Sequence, residues 1–159
     1  MNFAFATIDP ITFEVLPASS ADIPLYKRLT GLKRLDPDLK VYIAIGGWTF
    51  NDPGPTASTF SDIARSKVNQ AKFIKSLTSF MATYGFDGVD IDWEYPGADD
   101  RSGREEDFAN LPTFMKNLKA GMKATGGRDG LTITLPASYW YLQHFDIKKL
   151  ANTVDWFNM

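Results

Sequence analysis

The sequence predicts an α/β fold on a parallel sheet: a partial (β/α)8 (TIM) barrel of about five parallel strands with four intervening helices. Three observations carry this. Short β-branched or aromatic runs alternate with stretches of helical spacing and no hairpin signal, so successive strands need crossovers and lie parallel with right-handed connections. Residues 41–45 form a run without polar alternation, as expected of a strand covered on both faces. The octet Asp87-Gly88-Val89-Asp90-Ile91-Asp92-Trp93-Glu94 sets three carboxylates at every second position of an otherwise apolar strand. A doubly wound sheet has no interior to hold that row. In a barrel the acids point inward and climb to the C-terminal rim, where catalytic residues of that fold sit.

Each element follows in order. Residues 3–8 are a short apolar run closed by Asp9-Pro10, the first strand. Asp22 suits an N-cap, with Pro24 near the first helical position. Ile23, Leu25, Tyr26, Leu29, Leu32 and Leu35 then give a mostly helical spacing as far as Asp36-Pro37. Residues 41–45 make the second strand, ended by Gly46-Gly47, and a loop rich in Pro and Gly occupies about 49–59. Val68, Phe73, Ile74, Leu77, Phe80, Met81 and Tyr84 share a helical face, and Gly85 fits the end of that helix. The carboxylate strand comes next, then a Gly-, Asp- and Ser-rich loop over 95–104. Phe108, Leu111, Phe114, Met115, Leu118 and Met122 mark a helix, with Pro112 best placed in its first turn. Residues 131–136 read as a strand, 143–150 as a short helix and 154–158 as the last strand. A barrel typically takes about 250 residues, so residues 1–159 read as one incomplete domain.

Composition narrows the function. The chain is 44% hydrophobic and 23% charged, ordinary for a globular domain. A net charge of −2 gives no electrostatic footprint for nucleic acid or an anionic membrane. There is no cysteine, which excludes a disulfide framework, thiol catalysis and cysteine-ligated zinc. His144, the single histidine, builds neither a His-based metal site nor a Ser-His-Asp triad alone and reads as an ordinary helix-start residue. No apolar run approaches the ~18 residues of a membrane span. The N-terminus meets Asp9 without a basic segment and is not a signal peptide. Neither metal nor cofactor is implied.

Side chains alternate faces along a strand, so Asp90, Asp92 and Glu94 share one side, and Val89, Ile91 and Trp93 the other. Neighbours in the row are roughly 6.5–7 Å apart. Like charges buried together are costly, so at least one is expected to hold a proton at neutral pH, and such a cluster points to proton chemistry. A lone acid near a strand end would more simply cap a helix; three in register on an apolar strand do not fit that account. Asp87, of opposite parity, reads as structural, satisfying backbone donors where Gly85 and Gly88 loosen the chain.

The segment Asp87-Gly88-Val89-Asp90-Ile91-Asp92-Trp93-Glu94-Tyr95-Pro96 resembles the signature of family-18 glycoside hydrolases, the chitinases. Ala44-Ile45-Gly46-Gly47-Trp48 resembles that family's second motif, with Ala44 where Ser is usual. Asn2-Phe3-Ala4-Phe5-Ala6 is similar to its second barrel strand, and 131–142 and 154–158 to its fifth and sixth. Within that family the chain resembles the secreted fungal chitinases. The family continues beyond Asn158-Met159 into a Met-x-Tyr-Asp motif, so the resemblance implies the central portion of a catalytic domain, roughly strands 2 to 6. Half a barrel leaves sheet edges unpaired, which invites self-association and little activity by the isolated chain.

The resemblance further implies cleavage of β-1,4 bonds between N-acetylglucosamine units with retention, the 2-acetamido oxygen of the substrate acting as nucleophile, an exception to the usual pair of carboxylates. Glu94 would be the acid/base, its pKa raised by its neighbours; Asp92 would orient the acetamido group, and Asp90 would share a proton with Asp92. Trp48, beside Gly47, could stack a pyranose. Phe5 could line the cleft floor, and Tyr139 and Trp140 could reach it, although packing is the simpler reading of these three. Tyr95 joins the candidate substrate-binding residues, while its parity, like that of Trp93, is helix-facing. Expected partners are chitin or N-acetylglucosamine oligosaccharides, and the implied location of the parent is extracellular. Alternatives are an endo-β-N-acetylglucosaminidase acting on N-glycans, or a non-catalytic chitinase-like lectin. The lectin is disfavoured because all three acids are present. A Mg²⁺ site on the acids lacks any phosphate-binding loop to accompany it.

Overall fold

Six strands form one sheet in the order β2-β1-β3-β4-β5-β6 in a computed structural model that describes all 159 residues. The strands are β1 (Asn2–Ile8), β2 (Val15–Pro17), β3 (Tyr42–Gly46), β4 (Gly88–Asp92), β5 (Gly130–Thr134) and β6 (Trp156–Asn158). The helices are α1 (Asp22–Gly31), α2 (Thr59–Ala64), α3 (Lys67–Tyr84), α4 (Asp107–Lys123), α5 (Tyr139–Leu142) and α6 (Ile147–Leu150). All pairings from β1 through β3, β4 and β5 to β6 are parallel, the crossover pattern the alternating sequence predicts. The result is a partial α/β barrel.

One strand departs from expectation. β2 folds back antiparallel on β1, pairing Ile8 with Val15, although the sequence carries no Gly-based hairpin signal. The turn is made by Asp9 instead. Its carboxylate accepts the N–H groups of Ile11 (2.9 Å) and Thr12 (2.7 Å), and Phe13 takes the left-handed conformation at φ 62°. An Asp side chain closing its own loop in this way looks, in sequence, like a simple strand stop.

The helices need smaller corrections. Asp22 is the first residue of α1 rather than its cap, and its carboxylate accepts Ser19 N–H at 3.1 Å. The spacing that suggested one helix to Leu35 divides into α1 and a 3-10 turn, Leu32–Arg34, and Leu35 is exposed. α2 fills the end of the loop after β3, a helix not foreseen. Val68 is exposed: five positions before Phe73, it lies about 140° round the helix from the buried stripe. Pro112 is the sixth residue of α4, inside the helix rather than in its first turn. Of the helix expected at 143–150 only the last turn forms, α6, because Asp146 caps a fresh start there by accepting Lys149 N–H at 3.2 Å; α5 is a separate turn that ends at Leu142. His144 lies between them.

The core lies between sheet and helices. Val89, Ile91 and Trp93 are buried there with Ile43, Ile45, Leu131 and Ile133 from the neighbouring strands, and with Phe73, Leu77, Phe114 and Leu118 from α3 and α4. Trp93 stacks on Phe60 of α2, centroids 5.5 Å apart. Burying side chains of this size contributes roughly 1.5–3 kcal/mol each, and holds β4 at the centre of the sheet. On the opposite face Tyr42 covers Gly88 and Gly130, where any Cβ would collide with its ring. That face carries the acids.

Candidate active site

Parallel register assembles the site. Gly46 pairs with Asp92, Ala44 with Asp90 and Asp90 with Thr132, so three strand ends converge. Gly46 takes φ 109°, and a Cβ there would strike the Asp92 carbonyl and the Phe60 ring, so only glycine permits this approach. The next amide, Gly47 N–H, donates to Asp92 O at 2.8 Å.

The deepest acid is the best supported. Asp90 is buried and accepts three side-chain donors: Thr132 Oγ1 at 2.6 Å, Thr134 Oγ1 at 3.2 Å and Asn158 Nδ2 at 2.9 Å. Asp92, one step nearer the rim, is 8% exposed, and its Oδ1 is buried without a partner. Burial, then the charges of Glu94 and Asp90, push its pKa up to about 7. Of the expected features of the row, the raised pKa falls on Asp92.

β4 ends at Asp92, and Glu94 stands in the turn beyond it, partly exposed. Its backbone is held at both ends: its N–H donates to Asn51 Oδ1 (3.2 Å), and its carbonyl accepts from Arg101 Nε (3.0 Å). Because the strand has ended, the period-2 rule no longer governs Tyr95, and the helix-facing orientation expected for it is not found. Its ring lies on the rim, stacked on Tyr141 (centroids 4.4 Å) and edge-on to Trp48 (6.4 Å). Burial and the adjacent Glu94 push the Tyr95 phenol up to about 12. Trp93, by contrast, is core as expected.

The other aromatic candidates divide. Trp48, on a 3-10 turn directly after Gly47, is half exposed, and the Phe5 ring lies over Gly47 with part of its surface open. Phe5, Tyr139 and Trp140 are thus not packed away, contrary to the simpler reading. Trp140 joins Phe108, His144, Gly97 and Gln143 around a groove of about 660 Å³ that contains none of the three acids. Tyr139, the most exposed of the set, stands on the first turn of α5. Asp87 is structural as expected, accepting Val41 N–H at 2.9 Å and pairing with Lys33 at 2.8 Å. No group of three or more His, Asp or Glu side chains has a metal-holding arrangement.

Sequence reasoning missed Asn51, Arg101, Thr132, Thr134, Tyr141 and Asn158. The strand residues among them carry a usable signal: Thr132 and Thr134 alternate like Asp90 and Asp92. Arg101 and Asn51 sit in loops whose composition suggests only solvent exposure.

The family model for "Glycosyl hydrolases family 18" matches residues 1–159. The chain belongs to that family. Among family-18 relatives, Chitinase A1 of Niallia circulans is 37% identical over 139 residues, covering 83% of this chain and 19% of the relative. A Penicillium expansum protein named "Probable chitinase LysM11" is 39% identical over 163 residues, covering 99% and 14%. The crystal structure of an immunomodulatory active chitinase from Trichuris suis superposes with a TM-score of 0.84 at 30% identity, covering 99% of this chain and 41% of that one. The chain therefore spans less than a fifth of these two curated relatives and about two fifths of that solved chain.

Proposed function

We propose that residues 1–159 supply roughly strands 2 to 6 of a (β/α)8 chitinase catalytic domain, β1 and β3 to β6 taking those places in order. The domain would act outside the cell, cleaving β-1,4 bonds between N-acetylglucosamine units with retention. The carrying observation is the acid row itself: Asp92, protonatable near neutral pH and with a buried unpartnered Oδ1, stands between Asp90 and Glu94.

In this reading Glu94, outermost of the row and partly exposed, gives its proton to the glycosidic oxygen as the C1–O bond breaks. The carbonyl oxygen of the substrate's own 2-acetamido group attacks C1, forming an oxazolinium ion. The Asp92 carboxyl group is the acceptor for the acetamido N–H, which orients the group and steadies its growing positive charge. Asp90, already holding three donors, keeps Asp92 aligned. Water, deprotonated by Glu94, then opens the oxazolinium from the face the leaving group vacated, giving retention. Trp48 offers an aromatic face to a pyranose, and Phe5, Tyr95, Tyr139 and Trp140 extend the candidate sugar-binding surface. Chitin or its oligosaccharides are the proposed partners.

The test is hydrolysis of a fluorogenic chito-oligosaccharide by these residues within a complete barrel. Glu94→Gln is expected to lower turnover by roughly 10²–10⁴-fold while oligosaccharide binding persists. Unchanged turnover in the variant removes Glu94 from its role. Binding without any turnover by the unaltered protein favours the lectin instead.

A further inference from the structure

Arg101 has no part in the chemistry above, yet it is among the most heavily engaged residues at the rim. It ends a 3-10 turn, Asp99–Arg101, in the loop after β4, and is 6% exposed. Its Nε donates to the carbonyl of Glu94 at 3.0 Å, and its Nη2 donates to the carbonyl of Trp48. Nη1 pairs with Asp52 Oδ1 at 2.9 Å. The guanidinium carbon also lies 3.8 Å from the centre of the Trp48 ring. One planar cation thus holds the backbone of the residue at the strand tip, the backbone of the neighbouring loop, and one face of an indole.

We propose that Arg101 is a positioning residue that fixes Trp48 and Glu94 in a single geometry, leaving the opposite face of the indole as the one that receives a sugar ring. The proposal deepens the glycosidase reading and rests on it for the roles of Glu94 and Trp48. Two observations separate this from loop scaffolding. The path of the loop has its own anchor: Asp107 Oδ2 accepts Gly97 N–H (3.2 Å), Arg104 N–H (2.7 Å) and Ser61 Oγ (2.8 Å). And every main-chain acceptor of the Arg101 side chain belongs to Glu94 or Trp48. A lysine ammonium is a point charge without the planar fork, so it cannot meet three divergent acceptors and the ring together.

Arg101→Met and Arg101→Lys, each made in the full-length protein, test this by two readouts, with a separate Trp48→Phe variant used only to assign the indole signal. One is kcat and KM on a fluorogenic chito-oligosaccharide. The other is the Trp48 indole N–H resonance, which needs no turnover. With the fold retained by circular dichroism, both variants are expected to lose roughly ten- to a hundred-fold in kcat/KM, the scale of a small misplacement of reacting groups. The loss should fall on both kcat and KM, and the indole resonance should shift and broaden. Restored kcat/KM in Arg101→Lys overturns the proposal, as does unchanged kcat/KM in a merely less stable Arg101→Met. If the unaltered protein hydrolyses nothing, the chitinase reading fails separately, and an unmoved Trp48 resonance still overturns the positioning role. Should Arg101→Met not fold, the lysine variant decides both readouts.

Discussion

Asn158 Nδ2 donates to Asp90 Oδ1 at 2.9 Å, tying the last strand to the deepest acid across 68 positions of chain. Parallel pairing makes the contact possible, since Thr134 lies opposite Asn158 and Thr132 opposite Asp90. Replacing Asn158 with Leu leaves Asp90 one donor short inside the sheet. A loss of about 1–3 kcal/mol is expected, read from the denaturant midpoint; an unchanged midpoint would mean that the contact adds nothing to stability.

Asp92 makes stability depend on pH in a stated direction. Its folded pKa of about 7 lies above the ordinary 3.8. Between these values the folded chain keeps a proton that the unfolded chain has released, so stability declines as pH rises from about 4 to about 7 and then levels. Each unit of difference corresponds to about 1.4 kcal/mol. Asp92→Asn cannot ionise and should flatten the decline, gaining on the unaltered chain more at pH 8 than at pH 4. Parallel profiles for the two proteins would show that the proton is held elsewhere.

Trp93 and Phe60 stack in the core behind the acids. Trp93→Ala should cost about 3–5 kcal/mol through lost burial and an unfilled cavity. The double variant with Phe60→Ala should cost less than the two singles summed, by about 0.5–1.5 kcal/mol. Strict additivity in a double-mutant cycle would deny that the stack couples α2 to β4.

Gly88 lies beneath the Tyr42 ring with no room for a side chain. Gly88→Ala is therefore expected to destabilise by about 1–3 kcal/mol. Shrinking the obstacle with Tyr42→Leu in the same chain should recover part of that loss. Failure to recover any would point to the Gly130 carbonyl, also close to that position, as the dominant clash.

The 159 residues alone present a sheet whose outermost strands are β2 and β6, with Trp156 and Met159 exposed at the β6 side. Unpaired edges beside apolar side chains favour association. Light scattering on the purified chain is expected to show species larger than a monomer, with little chito-oligosaccharide turnover. A well-behaved, fully active monomer would contradict both expectations.

How far the site could be read in advance followed from the range of each interaction. Strand parity is local, so Asp90 and Asp92 on one face and Trp93 in the core were readable from spacing. The same rule misjudged Tyr95 because the strand ends before it. The Asp9 turn went unread because a side chain closing its own loop leaves no glycine signature. Arg101 resembled any loop cation, since its partners lie 7, 49 and 53 positions away.

Sequence alone determined the parallel alternation of strand and helix and the row of acids, because face and period depend on residues a few positions apart. Tertiary structure decided that Asp92 holds its proton well above the usual carboxylate range, which donors hold Asp90, and which face of Trp48 stays open. Those outcomes depend on burial and on strand register, and neither exists until distant segments lie side by side.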